Sequence, residues 1–273
     1  MSHDKNHKSA NSPAQPLNHI DAHIHLAEPE YAGQVSQIVE ESSRRGVSQM
    51  LSNATDYQTS LDTINFAKAF TERVLAAIGV HPSTILRSDN LHLEEFRRMI
   101  DDSSRWVTAI GEIGLDGKYT QDERAKTKQM ETFRFFLSLA EEKQLPVVVH
   151  SRQAVSQTID TLADFHIPSV LLHWYDGPVD TLPLLKDRGY MISIGPAILY
   201  SRNIAKIAGT IDASLILTET DGPVTYRGLF GNELTKPWFV IQVLNKLAEI
   251  RRTYGDTLRS MIYSNFQRFL NQA

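Results

Sequence analysis

The sequence predicts a single α/β domain, a (β/α)8 TIM barrel preceded by a polar N-terminal tail. Three observations predict it. Short apolar runs recur along the chain and alternate with longer amphipathic segments. Several runs are continuously apolar, such as Val147-Val148-Val149 and Val170-Leu171-Leu172, which suits parallel strands buried on both faces. Eight strand–helix units can be counted, and alternating units build a parallel sheet. Eight suggest closure into a barrel; an open doubly wound sheet shares the local pattern and is the alternative. The 273 residues suit one barrel of about 250 residues with a short extension.

Residues 1–18 are polar and rich in Ser, Asn, Lys and Pro. Such a segment buries too little to offset the entropy of ordering, so it reads as a disordered tail with His3 and His7 solvated. The strand candidates are 20–26, 47–55, 74–81, 106–115, 147–150, 170–175, 191–194 and 215–219. Between them lie helical stripes. Val35, Ile38 and Val39 follow helical spacing, and Gly46 stands where that helix should stop. Met130, Phe133, Leu137 and Ala140 form a second stripe. Leu258, Met261, Ile262 and Phe269 mark a last helix with Asp256 as candidate N-cap. These stripes read as core. No repeat or linker interrupts 19–273, which is therefore one domain. The stretch from 221 to about 236 is longer than most connections, and long loops in compact domains are often functional.

Composition narrows the function. The net charge is −4, whereas a coat protein that binds nucleic acid along its length is usually basic. Any nucleic-acid contact must then be local, made by bound metal and a few Arg or Lys. There is no cysteine, so disulfides and thiolate metal sites are excluded and a metal must be held by His, Asp or Glu. A thiol-free chain is compatible with a reducing cytosol, and a cytoplasmic location is expected. No apolar run approaches the roughly 20 residues of a membrane span, and the N-terminus lacks an apolar signal core. Neither membrane insertion nor secretion is expected.

The informative feature is where the polar residues fall. His, Glu and Asp keep recurring at or just after the C-terminal ends of the predicted strands, the catalytic face of a TIM barrel. In Asp21-Ala22-His23-Ile24-His25, alternation points His23 and His25 to one side, able to hold one metal or to pack as core histidines. Gly79-Val80-His81-Pro82 ends the third strand. In Gly111-Glu112-Ile113-Gly114-Leu115-Asp116 a carboxylate sits in an apolar strand and requires a cation, or an arginine partner. Its two oxygens can bridge two metals. His150-Ser151-Arg152, His173-Trp174-Tyr175 and Glu219-Thr220-Asp221-Gly222-Pro223 follow. Singly, each fits a structural role. Together they put His23, His25, His150, His173, Glu112 and Asp221 at one end of one barrel, with His81 beside them. Imidazole favours zinc and carboxylates accept Mg²⁺ or Mn²⁺. Two such ions can stabilise attacking and leaving oxygens at phosphorus.

In this order the motifs resemble those of the TatD family of metal-dependent deoxyribonucleases, within the amidohydrolase-type barrels. The resemblance covers roughly 19–271, including Asn265-Phe266-Gln267-Arg268-Phe269. It implies a hydrolase with two divalent ions (Mg, Mn or Zn). His23, His25, Glu112 and Asp221 would hold one; Glu112, His150 and His173 the other, with Glu112 bridging. It implies Asp221 as the residue that orients or deprotonates the attacking water, and His81 near the scissile phosphate. Arg152 would contact a phosphate or brace the site. Single-stranded DNA ends are the expected substrate, cleaved exonucleolytically, with no membrane partner, by a monomer or an oligomer.

The chain departs from the family pattern in places. Trp174-Tyr175-Asp176-Gly177 stands where Cys-Phe-Ser-Gly is common, Gly222 where Ser is usual, and Thr235-Lys236-Pro237 where Asn-Glu-Pro is usual. No ligand is removed; the pocket is altered. Trp174, Tyr175, Tyr226 and Trp238 are candidates for stacking on bases, or for ordinary loop packing. Arg87, Lys118, Arg202 and Arg227 are candidate phosphate contacts. Three other readings stand beside the nuclease: an amidohydrolase or esterase for a small metabolite, an editor of aminoacyl esters on nucleic acid, and a non-catalytic binding barrel. Relatives acting on small molecules often use a carboxylated Lys where Glu112 stands, which weighs against the first.

Overall fold

A computed structural model describes residues 18–87, 91–120, 122–226, 230–231 and 233–270. The tail assigned to 1–18 lies outside the described residues except for Asn18. Eight strands run β1 (His19–Ile24), β2 (Val47–Asn53), β3 (Val74–Ile78), β4 (Val107–Gly114), β5 (Val147–His150), β6 (Val170–Leu172), β7 (Met191–Ile194) and β8 (Ile216–Thr218). Every strand pairs in parallel with the next, in the order β1 through β8. The ends of the sheet meet: Thr218 Oγ1 donates to Ile20 O at 2.9 Å, and Asp221 N to His23 O at 2.9 Å. The closed TIM barrel is therefore the fold, not the open sheet.

Helices cover the outside: α1 (Val35–Arg44), α2 (Tyr57–Ala69), α3 (Pro82–Arg87), α4 (Leu93–Asp102), α5 (Glu123–Lys143), α6 (Val155–Leu162), α7 (Leu182–Asp187), α8 (Arg202–Thr210), α9 (Val240–Arg251) and α10 (Gly255–Leu270). Local chemistry starts several of them. Asp56 closes a reciprocal capping box with Thr59 on α2, and Asp122 accepts from Ala125 N at 2.7 Å on α5. Helix α1 buries Val35, Ile38 and Val39 and stops just before Gly46. Helix α5 buries Phe133, Phe136, Leu137 and Ala140 on one side, against the continuously apolar strands. Burial of one such Leu or Phe contributes about 1.5–3 kcal/mol, so these stripes bind the helical ring to the barrel.

Three expectations are corrected. The last helix begins at Gly255, so Asp256 lies in its first turn and does not cap it. Met261 is 37% exposed and does not belong to the core stripe of that helix. Several strands are shorter than their apolar runs, because the chain leaves the sheet where polar side chains must face the barrel mouth. Thus β3 ends at Ile78, and β6 ends at Leu172 before His173.

Candidate metal centre

Strand alternation brings His23 and His25 to the same side at the top of β1, their Nε2 atoms 3.1 Å apart. Glu112 rises from β4 and is 1% exposed. Gly114, two residues on, has φ 134, and a Cβ there would overlap the His150 backbone carbonyl. That glycine lets the end of β4 lie against β5, so Glu112 and His150 meet. Asp221 follows β8 with φ 52, and Trp174 follows β6 with φ 39. Left-handed backbone at non-glycine residues is strained and clusters at functional sites.

The donors form two nests around one carboxylate. On one side, Glu112 Oε2 lies 3.4 Å from both His23 Nε2 and His25 Nε2. Asp221 Oδ1 lies 3.4 and 3.2 Å from the same two nitrogens. Metal–ligand bonds of about 2.0–2.1 Å at tetrahedral angles place donors about 3.3–3.4 Å apart, so this nest fits a cation. On the other side, Glu112 Oε1 lies 2.8 Å from His150 Nδ1 and 2.7 Å from His173 Nε2. Those two nitrogens are 3.2 Å apart. These donors sit closer together than a tetrahedral cation would hold them; it is their chemistry, one carboxylate oxygen and two imidazole nitrogens, that suits an ion.

An outer layer sets which ring nitrogen faces inward. His25 Nδ1–H donates to Asn53 O at 2.9 Å, leaving Nε2 as a lone pair toward the nest. His150 uses the opposite nitrogen: its Nε2–H donates to Asp116 Oδ2 at 2.8 Å, so Nδ1 turns inward. Arg152 holds that same Asp116 oxygen through Nε (3.0 Å) and Nη2 (2.7 Å). His81 behaves differently. Ser83 N–H donates to its Nδ1 at 3.1 Å, so in the neutral ring Nε2 carries the proton. That proton points toward Glu112 Oε1, 3.5 Å away. In that tautomer His81 is a hydrogen-bond donor toward Glu112, although its ring also lies within 4.8 Å of donor atoms of Glu112 and His150, a grouping that could hold a cation.

Burial alone would raise the Glu112 pKa, but the surrounding imidazoles, His173 and His81 first, hold it well below the usual carboxylate range. Burial opposes charge on His25, yet its hydrogen bond to Asp221 and the fields of Glu112 and Asp221 push it up to about 9. Burial pushes His81 down to about 4, against the attraction of Glu112. The nests are thus strongly negative when the imidazoles are neutral, and a divalent cation competes there with protons.

The cavity above the nests has a volume of about 450 Å³. His25, His81, Glu112, His150, His173 and Asp221 face it, as do Trp174 and Arg152. Tyr175 and Tyr226 do not. Tyr175 is 1% exposed and its hydroxyl donates to Pro178 O; Tyr226 is 2% exposed and donates to Thr220 O. Both are loop-packing residues, which corrects their assignment to substrate. Trp238 packs against the core, with Arg45 over its ring. Arg87, Lys118 and Arg202 are exposed and do not line the cavity; Arg227 lies outside the described residues. Asp116 and Glu219 were visible within the motifs but had no role assigned. Tyr119, under the Arg152 guanidinium at 4.8 Å, stood outside every motif.

A closed parallel barrel carrying four imidazoles and two carboxylates around one mouth is the architecture of a metal-dependent hydrolase. The family model described as TatD related DNase matches residues 20–271. The chain belongs to that family and is a metal-dependent hydrolase. It is 28% identical over 256 residues to an uncharacterized metal-dependent hydrolase, MJ1582, of Methanocaldococcus jannaschii, covering 94% of this chain and 98% of that protein. It is 27% identical over 240 residues to the human deoxyribonuclease TATDN3, covering 85% and 87%. In fold it matches the crystal structure of YjjV, a TatD homologue from Escherichia coli K12. The TM-score is 0.87 at 23% identity, over 94% of this chain and 99% of that one. No helix among the described residues is long and apolar enough to cross a membrane.

Proposed function

We propose that the protein is a cytoplasmic nuclease that shortens single-stranded DNA ends by hydrolysing phosphodiester bonds with two divalent ions. His23, His25, Glu112 and Asp221 would hold one ion; Glu112, His150 and His173 would hold the other. The observation that carries the proposal is that each Glu112 oxygen belongs to a different nest. Zinc suits the imidazole-rich donors, and Mg²⁺ or Mn²⁺ the carboxylates. When bound, the ions supply Lewis-acid stabilisation of the oxygens that gain charge at phosphorus.

The chain's own residues do the rest. Asp221, 7% exposed at the cavity wall, orients the attacking water and takes its proton on its carboxylate. His81 donates its Nε2–H to a phosphate oxygen. Trp174, half-buried at the rim, offers a face on which a terminal base stacks. The limited cavity volume suits a strand end better than a continuous duplex. The deoxyribonuclease name of the human relative supports DNA as the polymer.

The test is end-labelled single-stranded DNA incubated with Mg²⁺, Mn²⁺ or Zn²⁺ in turn, with an EDTA control. Stepwise shortening that EDTA abolishes is expected, and the label's position gives polarity. No cleavage by protein shown to hold metal would transfer the reading to a small-molecule or aminoacyl ester.

A further inference from the structure

The rings of His23 and His173 stack in parallel, centroids 3.9 Å apart and planes within 7°. Each presents Nε2 to Glu112, one from each nest. Their Nδ1 atoms therefore turn to the opposite side. Both Nδ1 atoms are buried and make no hydrogen bond within the protein, and Glu219 Oε1 shares that condition. These residues form one group: a nitrogen of His23, a nitrogen of His173 and an oxygen of Glu219 lie within 4.8 Å of one another. Glu219 Oε2 is 3.7 Å from His173 Nδ1. The carboxylate is 0% exposed and is held at Oε2 by Ser193 Oγ at 2.5 Å. Gly195 lies against the Glu219 side chain: a Cβ there would come 3.3 Å from Glu219 Cγ and 3.4 Å from Oε1.

From this we infer that Glu219 is a positioning residue shared by the two halves of the metal centre. The chemistry follows from the tautomers. A histidine that offers Nε2 to a cation as a lone pair carries its proton on Nδ1 when neutral. His23 and His173 then present two N–H donors toward one buried carboxylate whose Oε1 lacks a donor. Glu219 accepts from both and fixes both rings in the tautomer that binds metal. His25 and His150 each have a private partner, Asn53 O and Asp116. Glu219 serves one ligand of each nest instead, so its loss weakens both. A third cation does not suit the spot, because it would face two N–H protons.

The inference rests on the two-ion reading, and the experiment separates the two. Zn²⁺ is titrated into the metal-free protein against a chromophoric chelator, and histidine ¹⁵N spectra are recorded on the loaded form. In wild type, two ions bind and the spectra show Nδ1–H tautomers for His23 and His173. Glu219→Gln, of similar shape but with a donor facing donors, should weaken both binding steps about 10–100-fold, the usual effect of removing a partner of a metal ligand. Its His23 and His173 resonances should shift while that of His25 stays. Asp116→Asn, as a comparison, should weaken only the step that uses His150. Unchanged affinities and unchanged His23 and His173 resonances in Glu219→Gln would overturn the inference. If that variant does not fold, Ser193→Ala keeps the carboxylate and removes its anchor; the same two resonances must move, and their constancy would overturn it. A single ion in wild type would sink the two-ion reading, while the effect of Glu219→Gln on that ion would still test Glu219.

Discussion

Gly222, where serine is usual in the family pattern, makes a demanding test because the structure supplies a reason for the glycine. A Cβ at 222 would overlap the Tyr31 hydroxyl oxygen, and the next atom, Thr235 O, would lie 3.2 Å away. Tyr31 is fully buried and its hydroxyl donates to Thr235 O. The space that a serine side chain would fill is therefore taken by Tyr31. Gly222→Ser overpacks this spot, at a cost of about 1–3 kcal/mol. Tyr31→Phe removes the overlapping atom but leaves the Thr235 carbonyl without its donor, about 1–3 kcal/mol for a buried acceptor. If the reasoning holds, the added serine can occupy the vacated volume and its hydroxyl can reach Thr235 O. The double variant should then be more stable than the sum of the single losses, with a coupling on the order of 1–3 kcal/mol. Urea unfolding of the four metal-free proteins reads it, and each kcal/mol should also move Tm by about 2–4 °C. Metal-dependent turnover should follow the same cycle, because Gly222 O accepts from His25 N at 2.8 Å and neighbours Asp221. Strict additivity, or Gly222→Ser tolerated beside Tyr31, would refute the steric account.

The other perturbations address the centre and the barrel base. On the proposed two-ion reading, Glu112→Ala should lose metal binding at both nests and all metal-dependent hydrolysis while circular dichroism stays barrel-like; wild-type turnover in that variant would sink the bridging role. Asp116→Asn removes the charged acceptor of His150, and metal affinity in that half should drop about 10–100-fold by chelator competition. His19 at the start of β1 is pushed down to about 4, first by burial and then by Arg259, with Asp256 opposing. A depressed histidine contributes stability above its unfolded value of 6.5 that is lost as pH falls toward 4. After discounting for partial solvent contact, the loss is on the order of 1–2 kcal/mol. His19→Asn should flatten that part of the stability curve, and an identical slope in wild type and variant would remove the attribution.

Much of the molecule was legible because it follows period and position. Val147-Val148-Val149 suits a strand buried on both sides, and His150 after it falls at the C-terminal end where a barrel mouth would lie. The same logic put His23, His25, Glu112, His150, His173 and Asp221 at one end of the barrel, where the structure gathers them. It did not reveal why they are ordered. Asp116 and Glu219 lie inside quoted motifs, yet their roles depend on which imidazole nitrogen faces inward, and spacing carries no signal of that. Tyr175 and Tyr226 stand beside ligands, as stacking residues would, but their hydroxyls turn into loop carbonyls. Sequence adjacency cannot tell the two apart. Gly222 was visible as a departure, and its cause, Tyr31, lies 191 positions away in the chain.

The charges around the cavity decide how a chain of net charge −4 could hold a polyanion. Glu112, Asp176 and Asp221 line it, and Arg152 is the only Lys or Arg among the described residues that does. Arg152 is already engaged: its Nε and Nη2 hold Asp116, the partner of His150. It braces Asp116 and through it His150, leaving little charge for phosphate. Under the proposed function, attraction for the strand must therefore come from the ions themselves and act on one or two phosphates. For a single strand the logarithm of affinity falls with the logarithm of salt by about 0.7 per neutralised phosphate. The expected slope is thus about −0.7 to −1.4, measured as KM for a single-stranded oligonucleotide between about 50 and 200 mM salt. A groove lined with six basic contacts would give about −4. A slope that steep would mean that a basic track outside this cavity carries the DNA, and the assignment of binding to the metal centre would fall.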